Sequence, residues 1–306
     1  MTKTDDRLKK DDANASRRVG MVELLAIVGP TASGKSALAL RLAKKYKGEI
    51  IAADSRTIYK GMDIGTAKPT VAERAALPHW GLDLVEPGQA FSAAHFKCYA
   101  ETAIKDIQGR GKLPILVGGT GLYVDGLLFD FGFGPPASPA KRGRLEALTT
   151  EQLRALINKK AYPMPENFQN RRHLIRALER RGRAGSARPR PAAGVRLIGL
   201  LPPDEVLRRR IDQRAEAIFA AGVVAETGSL IKQYGPAAVS ATAGIVYKIA
   251  VRVLAGEITE AEAIERFKTA DWRYARRQRT WFRRNSHINW FETPEAAYQF
   301  AKTVVK

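Results

Sequence analysis

The chain has 306 residues, of which 45% are apolar, and a formal net charge of +20. The single Cys98 excludes an intrachain disulfide and a thiolate zinc site, and the four scattered histidines show no metal-ligand spacing. No apolar run reaches the roughly 18 residues of a membrane-spanning helix, while a charge this positive favours a polyanionic partner, nucleic acid above all, over an uninvolved basic surface.

Residues 1–20, MTKTDDRLKKDDANASRRVG, lack the apolar core of a signal peptide and read as a disordered leader. Met21 sits directly before the apolar run Leu24–Val28, which is short enough to be a buried strand. Gly29 to Ser36 then spells GPTASGKS, the G-x-x-x-x-G-K-[ST] pattern. Leu38, Leu42 and Tyr46 follow at spacings of four, with Lys44 and Lys45 in the last turn and Gly48 as the stop, as in an amphipathic helix. Strand, glycine-bearing loop and helix start form a phosphate cradle. Backbone N–H groups of Gly29, Thr31, Ala32, Ser33, Gly34, Lys35 and Ser36 surround an anion, with Pro30, which has no N–H, completing the loop; Lys35 adds charge, and the Ser36 hydroxyl can reach Mg2+. Alone, such a loop reads as a nucleotide- or ATP-binding element.

EIIAAD at 49–54 is a strand ending in Asp54; residues 55–69 form a loop over the active face, Glu73–Leu77 a short helix and Leu82–Val85 a strand. Ser92 caps a helix over Ala93–Gln108, and Leu113–Val117 is a buried strand stopped by Gly118-Gly119-Thr120. The alternation predicts an α/β fold: a P-loop NTPase-like parallel sheet with helices on both faces. Ligands bind beyond the carboxyl ends of such strands, so the phosphate loop, Asp54 and Thr120 are expected to converge on one crevice. Asp54 can serve as a general base, a magnesium ligand or a small-acceptor contact; Thr120 can contact substrate or cap a helix.

From Phe131 the composition changes. FGFGPPASPAKRGR is a hinge, Leu145–Asn158 and Phe168–Arg181 read as helices, and VRLIGLL at 195–201 returns to strand character. Residues 131–194 are therefore a small helical insertion domain within a core made of 21–130 and 195–306. Asp204 is expected to cap a long helix whose outer face carries Arg208, Arg209, Arg210 and Arg214. Helices follow over Val223–Tyr234 and, as the last element, from Thr259 to Arg284. There, arginines interleaved with Tyr274, Trp281 and Phe282 suit an RNA surface as well as a solvated basic face.

Taken together, GPTASGKS at 29–36, ADSRTIYKGMDIGTAKP at 53–69, LVGGTGLY at 116–123, RRHLIRALE at 171–179, LIGLLPP at 197–203 and RYARRQRTWFR at 273–283 resemble the bacterial tRNA dimethylallyltransferases (isopentenyl-tRNA transferases). The resemblance implies transfer of a dimethylallyl group from dimethylallyl diphosphate to the exocyclic amine of the adenosine 3′ of the anticodon. Mg2+ at Ser36 is expected from the loop itself, a cytoplasmic location is expected, and a monomer is the default expectation. The resemblance further implies that Asp54, Thr120 and Arg214 are catalytic and that residues 29–36 hold diphosphate rather than ATP. It also implies that Asp54, Ser55, Arg56, Thr57, Thr120, Gln169, Asn170, Arg171, Arg172 and His173 contact the tRNA anticodon stem-loop. The chain departs from the family at Pro78-His79-Trp80 and Gly244–Ile249, and its stretch before Arg171 looks short. Rival readings are prenylation of free adenine nucleotide, which needs no basic insertion, and a P-loop kinase. Against a kinase, the strand at 113–117 runs into Gly-Gly-Thr, not an acid.

Overall fold

The computed structural model describes residues 22–134, 138–183, 185–242 and 244–305. The leader at 1–20, Met21 and part of the hinge lie outside the described residues. Two compact units are present: one running up to Leu128 and again from Arg190, the other Phe129–Pro189.

The first unit is built on a six-stranded parallel sheet of β1 (Leu24–Val28), β2 (Glu49–Ala52), β3 (His79–Trp80), β4 (Pro114–Gly118), β5 (Val195–Leu200) and β6 (Asn289–Phe291), in the order β3-β2-β4-β1-β5-β6. The central β1 and β4 are wholly buried, which is why they are continuous apolar runs rather than alternating ones. Leu25, Ile27, Ile115 and Val117 pack against Leu38 and Leu42 of α1 (Lys35–Tyr46). α2 (Val71–Ala76) is closed by a Thr70–Glu73 capping box. α3 (Ala93–Gly109), capped by Ser92, and α4 (Gly121–Leu128) pack together, with Phe96 stacked on Tyr123 at 4.4 Å between ring centroids.

The second unit holds α5 (Pro139–Glu146), α6 (Thr150–Lys159) and α7 (Arg171–Glu179) around Leu145, Leu153, Ile157, Leu174, Ile175 and Leu178. The first unit continues with α8 (Asp204–Ala220), α9 (Val223–Tyr234), α10 (Pro236–Thr242), α11 (Ile245–Leu254), α12 (Glu260–Phe282) and α13 (Pro294–Val304).

Four expectations need correction. Leu82–Val85 is not a strand: the sheet edge is His79–Trp80, and Val85 makes one isolated bridge to Tyr59. The helix expected over Leu145–Asn158 is two helices, because Thr149 and Gln152 form a capping box that starts a new one. Asp204 does not cap α8; Pro203 holds that position, and the Asp204 carboxylate pairs with Arg279. The helix from Thr259 ends at Phe282 and is not the last, since β6 and α13 follow. α13 packs Ala297 and Ala301 onto the α1 side of the sheet core, and Arg41 of α1 stacks over the Tyr298 ring.

Candidate active site

The phosphate loop turns between β1 and α1 with three residues at positive φ: Gly29 at 141°, Ala32 at 58° and Gly34 at 96°. Glycine is required at position 29, because a Cβ there would lie 2.3 Å from the Leu200 carbonyl oxygen. The N-terminus of α1 lacks a side-chain cap, so its N–H groups are open to an anion. Thr31, Ala32, Ser33, Gly34, Lys35 and Ser36 line a cavity of about 940 Å³, whose wall also includes Asp54, Ser55, Arg56, Thr57, Thr120, Arg210 and Arg214. The phosphate loop, Asp54 and Thr120 thus meet beyond the carboxyl ends of β1, β2 and β4, and Arg214 reaches them from α8. Gly29 and Pro30 form the loop behind this lining.

The strand-end residues interlock. The Asp54 carboxylate accepts the Arg56 N–H at 2.8 Å through one oxygen, Oδ1, which fixes its orientation. The Ser55 N–H donates to Thr120 Oγ1 at 3.0 Å, and the Thr120 N–H donates to the Ala53 carbonyl at 3.2 Å. Thr120 therefore ties the end of β2 to the end of β4. Arg56 Nη1 donates to the Thr242 carbonyl at 2.7 Å.

The cationic side is equally organised. Lys35 Nζ donates to the Pro30 carbonyl and, at 3.5 Å, to Ser33 Oγ. Burial lowers the Lys35 ammonium to about 8; Asp54 opposes this, Arg214 adds to it and Asp271 opposes it. Arg210 Nη1 donates to the Ser33 carbonyl at 3.4 Å, and Arg214 Nη1 to Asp271 Oδ2 at 2.9 Å. Arg214 lines the cavity, as the resemblance led us to expect, and Arg210, which the sequence placed only on the outer helix face, turns towards the phosphate loop as well.

Asp271, Tyr274, Gln278 and Trp281 of α12 all line the cavity. Sequence reasoning gives Asp271 and Gln278 no role, and it assigns Tyr274 and Trp281 to an RNA surface rather than to the cavity wall. Gln278 accepts the Thr31 N–H at 2.8 Å through Oε1 and donates Nε2 to the Gly119 carbonyl at 2.9 Å, joining the phosphate loop to the β4 end. Gly119 cannot carry a Cβ, which would sit 2.1 Å from Gln278 Nε2. Burial pushes the Tyr274 hydroxyl up to about 12. Trp281 Nε1 donates to Asp125 Oδ2 at 2.6 Å and remains partly exposed, whereas Phe282 belongs to the core rather than to an RNA surface. Trp281 also borders a shallow concavity lined by Arg273, Arg276, Arg277, Thr280 and Arg284.

The 53–69 block is held from behind. Glu226 of α9 accepts the N–H groups of Asp63, Ile64 and Gly65 at 3.1, 2.8 and 3.2 Å, and the Tyr247 hydroxyl at 2.6 Å. Buried Lys68 pairs with Asp63 at 2.7 Å and Asp83 at 2.5 Å. Gln169, Asn170, Arg171, Arg172 and His173 belong to the second unit, not to the cavity lining. Asn170 caps α7 through the Arg172 N–H, and Arg171 donates to the Glu146 carbonyl.

The family model described as IPP transferase matches residues 57–285, and one described as isopentenyl transferase matches 22–79. The chain belongs to the IPP transferase family. It is 40% identical to a tRNA dimethylallyltransferase of Anaeromyxobacter sp. (strain Fw109-5) over 93% of this chain and 99% of that one. It is 42% identical to one from Corynebacterium glutamicum (strain R) over 89% and 95%. Among solved structures, the full-length tRNA isopentenylpyrophosphate transferase of Bacillus halodurans is similar with a TM-score of 0.68 and 36% identity, covering 92% of this chain and 95% of that one. A eukaryotic dimethylallyltransferase at 24% identity and TM-score 0.71, over 90% and 75%, shares the fold. Among the described residues no helix is long and apolar enough to cross a membrane.

Proposed function

We propose that this member of the IPP transferase family acts as a tRNA dimethylallyltransferase. The substrates are dimethylallyl diphosphate and the adenosine 3′ of the anticodon of tRNA. The observation that carries this reading is the placement of a phosphate loop and a carboxylate, Asp54, on one cavity of about 940 Å³. An exocyclic adenine amine is a poor nucleophile, because its lone pair is delocalised into the ring. As its nitrogen attacks the allylic carbon, the N–C bond forms, the C–O bond to diphosphate breaks, and the amine proton passes to the Asp54 carboxylate. The leaving diphosphate is stabilised by the N–H groups of the loop, Lys35 and Arg214. Thr120 orients the acceptor beside Asp54. Residues 169–173 and the arginines of α12 contact the anticodon arm.

Among the described residues no cluster of three or more His, Cys, Asp or Glu could cage a metal. Mg2+ keeps waters and is commonly carried by one or two protein oxygens plus phosphate, and the Ser36 hydroxyl is such an oxygen on the cavity wall. Ser36 would hold it against the diphosphate, where it would neutralise leaving-group charge. The protein would then act as a cytoplasmic monomer whose loop ligand is a prenyl diphosphate rather than ATP.

The test is incubation of the full chain with labelled dimethylallyl diphosphate, Mg2+ and either tRNA or free AMP. Label is expected in tRNA. Label confined to AMP, or ATP consumption without prenyl transfer, would overturn the reading.

A further inference from the structure

We propose that Asp271 is a positioning residue that holds Arg214 in the geometry needed to receive the leaving diphosphate; this rests on the role given to Arg214 above. Asp271 lies on α12 and is only 4% exposed, yet it lines the cavity. Its Oδ2 accepts Arg214 Nη1 at 2.9 Å. Among the described residues this is the one protein acceptor that Arg214 meets, so its other donors remain for a ligand. An arginine side chain has several rotatable bonds and loses much rotamer freedom when fixed. Fixing it during folding, before substrate arrives, is what makes a donor preorganised.

The surroundings support orientation over stability. Leu207 and Ile211 of α8, Ala275 and Trp272 of α12 and Ala32 of the phosphate loop form one small apolar cluster. The helix pair is therefore already packed to the loop without any charge. A buried carboxylate in that seam is expensive, and an apolar residue of similar volume would commonly be as stable or more so. Burial raises the Asp271 carboxyl, with Arg214 and then Lys35 holding it down. The 2.9 Å ion pair with Arg214 is the contact that opposes this rise. Asp271 also places one negative charge among Lys35, Arg210 and Arg214, three cations bordering the site. Removing it would not weaken the ground-state attraction for diphosphate. It would loosen the guanidinium that must meet the charge developing on the leaving oxygen.

The experiment is a double-mutant cycle in the full chain, with tRNA and dimethylallyl diphosphate. Arg214→Ala is expected to lower kcat by about 100- to 1,000-fold, as for loss of a preorganised donor. Asp271→Asn keeps size and shape, and is expected to lower kcat by about ten- to a hundredfold, with the KM for the prenyl donor no higher than in the parent. In the Arg214→Ala background, Asp271→Asn should cost nothing further in kcat. It should also raise the thermal midpoint there, because it neutralises a buried carboxylate left without its partner. If Asp271→Asn costs as much with Arg214 absent as with it present, or raises KM while kcat stands, the positioning role is wrong. If Arg214→Ala itself leaves kcat intact, the role of Arg214 falls, and this proposal falls with it.

Discussion

Replacing Gln278 by leucine removes both polar atoms that tie the phosphate loop to the end of β4. The Thr31 N–H loses its 2.8 Å acceptor and the Gly119 carbonyl its 2.9 Å donor, at a residue only 6% exposed. The two losses are unequal. The bond from the Thr31 N–H is only partly buried, so water can replace its acceptor, at a cost of about 1 kcal/mol. The bond to Gly119 is buried, and its carbonyl keeps its full desolvation penalty of about 1–3 kcal/mol. The sum is about 2–4 kcal/mol, which for a unit of this size lowers the thermal midpoint by about 4–16 °C. Denaturant unfolding monitored by circular dichroism measures the first quantity, and steady-state transfer to tRNA tests the second consequence. Because Gly119 adjoins Thr120, slackening the tie moves the acceptor wall relative to the diphosphate loop, and kcat should fall by about tenfold or more. A stability loss below about 0.5 kcal/mol with unchanged kcat, within the range of ordinary surface substitutions, would refute the coupling of these two loops through Gln278.

Asp54→Ala should lower transfer by about 10²–10⁴-fold while tRNA still binds; near-normal turnover would remove the general base. Lys35, lowered to about 8 by burial, attracts diphosphate only when protonated. The kcat/KM for the prenyl donor should therefore be full well below pH 8 and decline as pH rises through it, and Lys35→Met should erase that inflection. The same depressed value means that the folded chain binds fewer protons than the unfolded chain between about pH 8 and the ordinary lysine value of about 10.4. Folding stability should rise with pH across that window. Glu226→Ala frees three loop N–H groups and the Tyr247 hydroxyl, and should cost about 2–4 kcal/mol in denaturant unfolding. tRNA affinity should fall steeply with added salt, and Arg276→Gln with Arg284→Gln should flatten the slope by about one for each phosphate no longer neutralised. A salt-independent affinity would rule out an RNA surface there.

The sheet was readable because its physics is local. β1 and β4 are buried on both faces, so each is an uninterrupted apolar run, and the turns that end them carry glycines whose positions tolerate no Cβ. The phosphate loop was readable for the same reason: its function lies in backbone geometry, which leaves a strict spacing of Gly29, Gly34, Lys35 and Ser36. The β3 edge was misplaced because only two residues of it pair, too few for any period to show. α13 went unread because Ala297 and Ala301, small residues four apart, are its buried contacts, a weak signal beside the arginines before it.

The inner face of α12 was hidden for a different reason, and it bears most on function. Asp271, Tyr274, Gln278 and Trp281 follow one another at spacings of three, four and three, the period of one helix face. Apolar periodicity reveals a helix face that meets a core. This face meets a cavity, so its residues are polar and blend with the arginines on the other side. The two sets differ only in what they touch. Arg273, Arg276 and Arg284 border an open concavity, Arg277 borders both it and the cavity, and Asp271 and Gln278 bond to Arg214 and the phosphate loop. One helix therefore carries a basic outer surface and a polar wall that bonds to Arg214 and to the loop after β1. Substitutions on the outer face that only remove charge should change the affinity for tRNA and its salt dependence.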